Sequence, residues 1–162
     1  MMIDSRPPAG GFGTHGELSG PPTLSAPVLV IDDERSGSAA TMALLAEGGY
    51  LTTAETDGDS VLRLVRSDLM RLVVSELYIP CAEGRCVIAA LKRDRTRLPR
   101  LRVLAYSRHV TPADDEWALA AGCDTVLHKP ALAGVLVSEV RRLEGSSARD
   151  AADSSGSDGG AP

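Results

Sequence analysis

The chain has 162 residues, 43% of them hydrophobic, which suffices for one well-buried core with flanking tails. Its 22 acidic and 17 basic residues leave a formal charge of -5, and no uninterrupted basic run offers a surface for a phosphate backbone, so nucleic acid is excluded as a partner. No apolar run approaches the roughly 20 residues that span a bilayer, and residues 1–26 lack the basic start and apolar centre of an export signal; membrane is excluded and the cytoplasm expected.

Residues 1–26 are rich in Gly, Pro and Ser without apolar periodicity and read as a disordered tail. Gly11, Gly13 and Gly16 match G-x-G-x-x-G there, but no strand precedes them, so the match carries no nucleotide site. The folded domain is expected over residues 27–144. Its first strand, 28–31, ends in Asp32-Asp33-Glu34 and leads to a helix over 38–47. A second strand, 50–54, and a helix over 60–67 follow. The third strand, 72–75, runs into Glu76 and then a helix over 84–93. The fourth, 101–106, runs into Ser107. Thr111-Pro112-Ala113-Asp114 then supplies a capping hydroxyl, a proline at the first helical position and a carboxylate three residues after the cap, which starts a helix over 112–121 stopped by Gly122. The fifth strand, 125–127, leads to His128-Lys129-Pro130. The last helix, 132–143, carries one apolar stripe of Leu132, Val135, Leu136, Val140 and Leu143, with Gly145 as its stop and residues 145–162 as a second disordered tail. Five alternating strands and helices specify an α/β fold with a parallel five-stranded sheet covered on both faces.

In such a sheet ligands gather at the carboxyl ends of the strands, and those ends are polar here. Asp32, Asp33, Glu34, Glu76, Ser107 and Lys129 bring carboxylates, a hydroxyl and an ammonium to one edge. Clustered carboxylates repel unless a cation compensates them, and both a divalent metal and Lys129 answer that need. Cys81, Cys86 and Cys123 lack metal-site spacing and read as reduced structural thiols.

Val28-Leu29-Val30-Ile31-Asp32-Asp33-Glu34, then Glu76-Leu77-Tyr78-Ile79-Pro80 with Gly84, then Ser107, then Gly122-Cys123-Asp124 through Lys129-Pro130, together resemble a response-regulator receiver domain of the CheY-like kind over all of residues 27–144. The resemblance implies a flavodoxin-like, doubly wound sheet of strand order 2-1-3-4-5 and a part in two-component signalling. It implies Mg²⁺ ligands at Asp33, at Asp32 through water, and at the Tyr78 carbonyl. It makes Ser107 the hydroxyl that meets a phosphoryl oxygen and Lys129 the ion-pair partner of that group. Two positions depart from the family. Glu76 stands where the phosphoacceptor aspartate is expected, and Val126 where an aromatic ring usually turns inward on activation. Arg108, after Ser107, is bulkier than the family's usual residue and restricts access.

Glutamate carries its carboxylate about 1.5 Å further out than aspartate, and misplacement on that scale costs on the order of 100-fold in rate. Ordinary phosphotransfer to Glu76 is therefore not expected, and Mg²⁺ binding is expected to be weak or lost. Glu76 reads as a phosphomimetic that locks an active conformation, or as an ion-pair partner of Lys129 in an inert one. The expectation is a non-enzymatic, stand-alone atypical receiver that binds proteins independently of phosphorylation. Its partner is a histidine kinase or a downstream regulator, and a homodimer is expected through the fourth helix, fifth strand and fifth helix. Trp117 is either a binding anchor on that surface or a half-buried core residue. The rival readings are a Mg²⁺-dependent receiver phosphorylated at another residue, such as Ser75 or Ser107, and a metal-dependent phosphohydrolase.

Overall fold

Within the central strands, alternate side chains belong to two different cores. The computed structural model describes residues 27–154, apart from residues 68, 84, 85 and 110. The elements run β1 (Val28–Ile31), α1 (Arg35–Glu47), β2 (Thr52–Glu55), α2 (Gly58–Arg66), β3 (Leu72–Ser75), α3 (Val87–Asp94), β4 (Arg102–Ser107), α4 (Pro112–Ala121), β5 (Thr125–His128) and α5 (Ala133–Ser154). All strand pairs are parallel, and the order is β2-β1-β3-β4-β5. This is the doubly wound topology and strand order that the resemblance implies, on the parallel sheet expected from the alternation of strands and helices. Leu29, Ile31, Val73, Val103 and Ala105 face one core with Val61, Leu62, Val65, Leu91 and Ala118 from α2, α3 and α4. Val28, Val30, Leu72, Val74, Leu104 and Tyr106 face the other with Leu45, Leu136, Val137, Val140 and Leu143 from α1 and α5. The two-residue period of a strand makes this division, and each fully buried aliphatic side chain contributes about 1.5–3 kcal/mol of transfer free energy.

Local signals set most boundaries where expected. Thr111 and Asp114 form a reciprocal capping box at the start of α4, with Pro112 in its first turn. Gly122 ends that helix in the left-handed region at φ 111°. The second strand differs, starting at Thr52 rather than residue 50. Gly49 turns the chain at φ 83°, Tyr50 N–H donates to the Leu45 carbonyl, and the Tyr50 ring joins the core beneath α1 and α5. Tyr50 thus belongs to the closure of α1. Similarly, α1 begins at Arg35, three residues earlier than expected, and the Ser38 hydroxyl donates to the Arg35 carbonyl from inside the helix.

The last helix departs most. Gly145 does not stop it: α5 continues to Ser154, so the tail expected from residue 145 begins with about two and a half further helical turns. An interior glycine costs a helix only about 1 kcal/mol relative to alanine. Ser146 Oγ donates to the Leu143 carbonyl at 2.8 Å, and Ser147 Oγ donates to the Arg100 carbonyl, just before β4, at 2.7 Å. The apolar stripe is also narrower than its sequence suggested. Leu132 precedes the helix and is 79% exposed, Val135 is exposed as well, and Val137 is buried instead. The expected tail over residues 1–26, the remainder of the second tail and Gly84 lie outside the described residues. Among the described residues no helix is long and apolar enough to cross a membrane.

Gly58 opens α2 where a side chain has no room. A Cβ there would lie 2.3 Å from the Pro80 carbonyl oxygen in the loop that follows β3. Gly58→Ala is expected to destabilise the domain by about 1–3 kcal/mol through overpacking, read as a lowered urea midpoint at unchanged m-value.

Candidate functional site

The parallel register brings the ends of four strands together. Ile31 pairs with Ser75, Ser75 with Ala105, and Ser107 with His128. Asp32, Glu76 and Lys129 are the next residues along their chains, and Ser107 closes β4. Backbone bonds carry this alignment past the strands: Glu76 N–H donates to the Ile31 carbonyl and Lys129 N–H to the Ser107 carbonyl, each at 2.8 Å.

Lys129 is the centre of the cluster. Its ammonium donates to Asp32 Oδ2 at 2.6 Å and to Glu76 Oε2 at 3.0 Å, and it lies 5.2 Å from the centre of the Tyr106 ring. Tyr106 belongs to the core beneath α1 and α5, as strand alternation from Ser107 requires, and its hydroxyl accepts from Ala131 N–H at 3.1 Å. The other Asp32 oxygen accepts from Glu34 N–H at 2.9 Å. Gly37 makes room for that carboxylate, since a Cβ there would lie 2.3 Å from Asp32 Oδ2. Glu76 Oε1 accepts a short hydrogen bond from the Ser107 hydroxyl and a second from Leu77 N–H at 3.1 Å. Asp32 is 2% exposed, Ser107 0% and Glu76 9%, so the network lies below the surface with every polar atom engaged.

Burial by itself raises the pKa of Glu76, but the bonds from Ser107, Leu77 N–H and Lys129, with the Lys129 charge, outweigh it and hold the carboxyl below its ordinary value. The site therefore keeps a fixed negative charge. Above it, Arg108 Nη1 donates to Glu34 Oε2 at 2.9 Å. β1 and β4 flank β3 in the sheet, so this surface ion pair, joining the loops that follow β1 and β4, straps across the end of β3.

The remaining candidate residues do not enter the cluster. Asp33 is exposed. Val126 is half-buried and packs on the core beside α4. Trp117 is half-buried: it packs against that core and against Tyr78, with ring centres 5.0 Å apart at 37°. The Tyr78 side chain itself lies on the surface, where its hydroxyl donates to Asp114 Oδ1 at 2.6 Å. His109 was missed in the sequence. Its Nδ1 lies 3.2 Å from Ser107 Oγ and 3.6 Å from Glu76 Oε1, and its ring meets the Tyr78 ring edge-on at 5.1 Å. The available signal was its position two residues after Ser107, in the loop at the same sheet edge.

A divalent cation shared by Asp32 and Glu76 would have to displace bonds that these carboxylates already make. No group of three His, Cys, Asp or Glu side chains is placed to hold a metal among the described residues. Both Asp32 oxygens already accept hydrogen bonds, and an ammonium stands between Asp32 and Glu76 where a shared cation would sit.

Comparison with known proteins places this geometry in context. The family model "Response regulator receiver domain" matches residues 28–141. The chain is 31% identical over 118 residues to the transcriptional activator protein ExaE of Pseudomonas putida, covering 72% of this chain and 54% of that one. It is 29% identical over 114 residues to the transcriptional regulatory protein DltR of Streptococcus agalactiae, covering 70% and 50%. The chain thus spans about half the length of these curated relatives. A solved CheY-like receiver domain protein from Methanospirillum hungatei shares the fold at a TM-score of 0.65 and 15% identity, covering 76% of this chain and 97% of that one.

Two outcomes follow from the buried network. Lys129→Met leaves two buried carboxylates without their cation, and the expected loss is about 3–5 kcal/mol in chemical denaturation. The folded-state pKa of Glu76 lies below the ordinary 4.5, so its interactions contribute fully above that value and are lost as the pH falls through the depressed one. Wild type should lose stability over that acid range, and Glu76→Gln should flatten that part of the stability–pH curve.

Proposed function

Because the chain belongs to the response regulator receiver domain family, we propose that it is an atypical receiver of two-component signalling in which the Glu76 carboxylate replaces a transferable phosphoryl group and output is by protein binding. One observation carries the proposal: Glu76 reaches the Ser107 hydroxyl with one oxygen and the Lys129 ammonium with the other. In the family these are the two groups that a phosphoryl oxygen engages when the switch is on. The extra methylene of glutamate supplies the reach, about 1.5 Å, and the depressed pKa keeps the charge in place. The imitation is partial, because a phosphoryl group brings nearly two charges and three acceptor oxygens where Glu76 brings one charge and two.

The same geometry weighs against the rival acceptors. Ser75 is wholly buried and its hydroxyl donates to the Glu76 carbonyl at 2.7 Å; Ser107 is wholly buried and donates to the Glu76 side chain. Asp32, the candidate nucleophile of a phosphohydrolase, is buried and tied to Lys129. The proposed partner is a protein, a histidine kinase or a downstream regulator, and the proposed contact surface is α4, β5 and α5, through which a second copy also pairs.

Intact-mass measurement after incubation with acetyl phosphate and Mg²⁺ tests the proposal together with partner capture. Wild type is expected to gain no adduct of about 80 Da, the mass of a phosphoryl group, whereas Glu76→Asp gains one. Capture is expected to persist in wild type and to fall in Glu76→Gln and Glu76→Ala. An adduct on wild type, or equal capture by all four proteins, refutes the reading.

A further inference from the structure

Val126 deprives the site of the inward-turning aromatic ring that the family uses to report the state of the acceptor, yet a different set of rings leads out of it. His109 N–H donates to Ser107 Oγ at 3.0 Å, and its Nδ1 lies 3.2 Å from the same oxygen, which is itself bonded to Glu76. The His109 ring stands at 85° to Tyr78, which leans on Trp117. The Tyr78 hydroxyl donates to Asp114, and Asp114 is the carboxylate of the capping box that starts α4. Each contact is direct, and the path crosses from the end of β3 to the first turn of α4 over the His109 and Tyr78 rings, with Trp117 stacked beside Tyr78.

We propose that His109 and Tyr78 couple the charge at residue 76 to Trp117 and the N-terminal turn of α4, in place of a ring on β5. The inference rests on the reading of Glu76 as the fixed signalling charge. Glu76 holds the Ser107 hydroxyl, so Ser107 Oγ presents its lone pairs toward His109; that hydrogen bonding fixes the imidazole, and the edge of the imidazole fixes the Tyr78 ring. Tyr78 in turn supplies one of the hydrogen bonds that orient Asp114. Removing the charge at residue 76 changes the Ser107 hydrogen bond, releases His109, and withdraws Tyr78 from Asp114. The outcome is a change in the exposed face around Trp117, which lies on the surface proposed for partner contact. Coupling of this kind is established by two arrangements that both ends bias, and the variants below supply the second arrangement.

Trp117 is the chain's one tryptophan, so its emission reads the far end of the path without a label. The test compares wild type, Glu76→Gln, Tyr78→Leu and the double variant by Trp117 emission and by native-state hydrogen exchange at the Asp114 and Asp115 amides. Glu76→Gln is expected to shift the emission and to speed exchange about two- to tenfold, the factor that corresponds to losing one ring contact. In the Tyr78→Leu background the same substitution is expected to change neither. Should Tyr78→Leu fail to fold, Tyr78→Phe keeps the ring and removes only the bond to Asp114; the emission response should then survive while the exchange response is lost. Unchanged emission and exchange in folded Glu76→Gln, or a full response in the Tyr78-substituted background, overturns the coupling. Neither readout uses partner capture or phosphotransfer, so a failure here is distinct from a failure of the signalling proposal.

Discussion

One lysine holds the polar end of this fold together. Two carboxylates, Asp32 and Glu76, are buried within reach of each other, and such a pair repels unless a cation lies between them. Lys129 supplies that cation at 2.6 and 3.0 Å, from the strand next to β4. Because the ammonium arrives from β5 and its targets from β1 and β3, the interaction ties three strands at the edge where the sheet would otherwise splay under like charge. The backbone bond from Lys129 to the Ser107 carbonyl fixes the lysine before its side chain is placed. The Tyr106 ring then limits where the chain can run. Desolvation of the ions opposes the arrangement, and it is tolerable because, among the described residues, every buried side-chain oxygen and nitrogen has a hydrogen-bond partner.

The same lysine changes what glutamate means at position 76. A free carboxylate on this edge would be a solvated charge, but with Ser107 on one oxygen and Lys129 on the other it becomes a fixed crosslink between β3, β4 and β5. The ion pair between Glu34 and Arg108 joins the loops on either side of it. Being exposed, it contributes little stability of its own.

The strand ends were the legible part of the sequence. Short apolar runs broken by acidic or basic residues marked β1, β3 and β4 within a residue or so, and parallel pairing then had to bring Asp32, Glu76, Ser107 and Lys129 together, because each lies at the same end of its strand. What could not be read depended on side-chain direction and tertiary partners. The sequence placed Tyr78 by its carbonyl, whereas its ring turned out to matter for α4. His109 went unnoticed because a lone histidine in a loop carries no period. Gly145 looked like a stop, but its signal is local, and the contacts that extend α5 come from Arg100, 47 residues away in the chain. Leu132 and Val135 fit a helical stripe on paper, whereas Val137 is the residue that α5 buries, in the core it shares with α1.

That extended α5 also has a mechanical consequence. Ser147 is bonded to the Arg100 carbonyl immediately before β4, and Glu144 accepts from the Tyr50 hydroxyl, so the helix is anchored at two points near the base of the sheet. The last turns of the helix are thereby fastened to two separate stretches of chain, the segment leading into β4 and the turn leading into β2, so the far end of α5 cannot lift from the sheet without breaking both bonds.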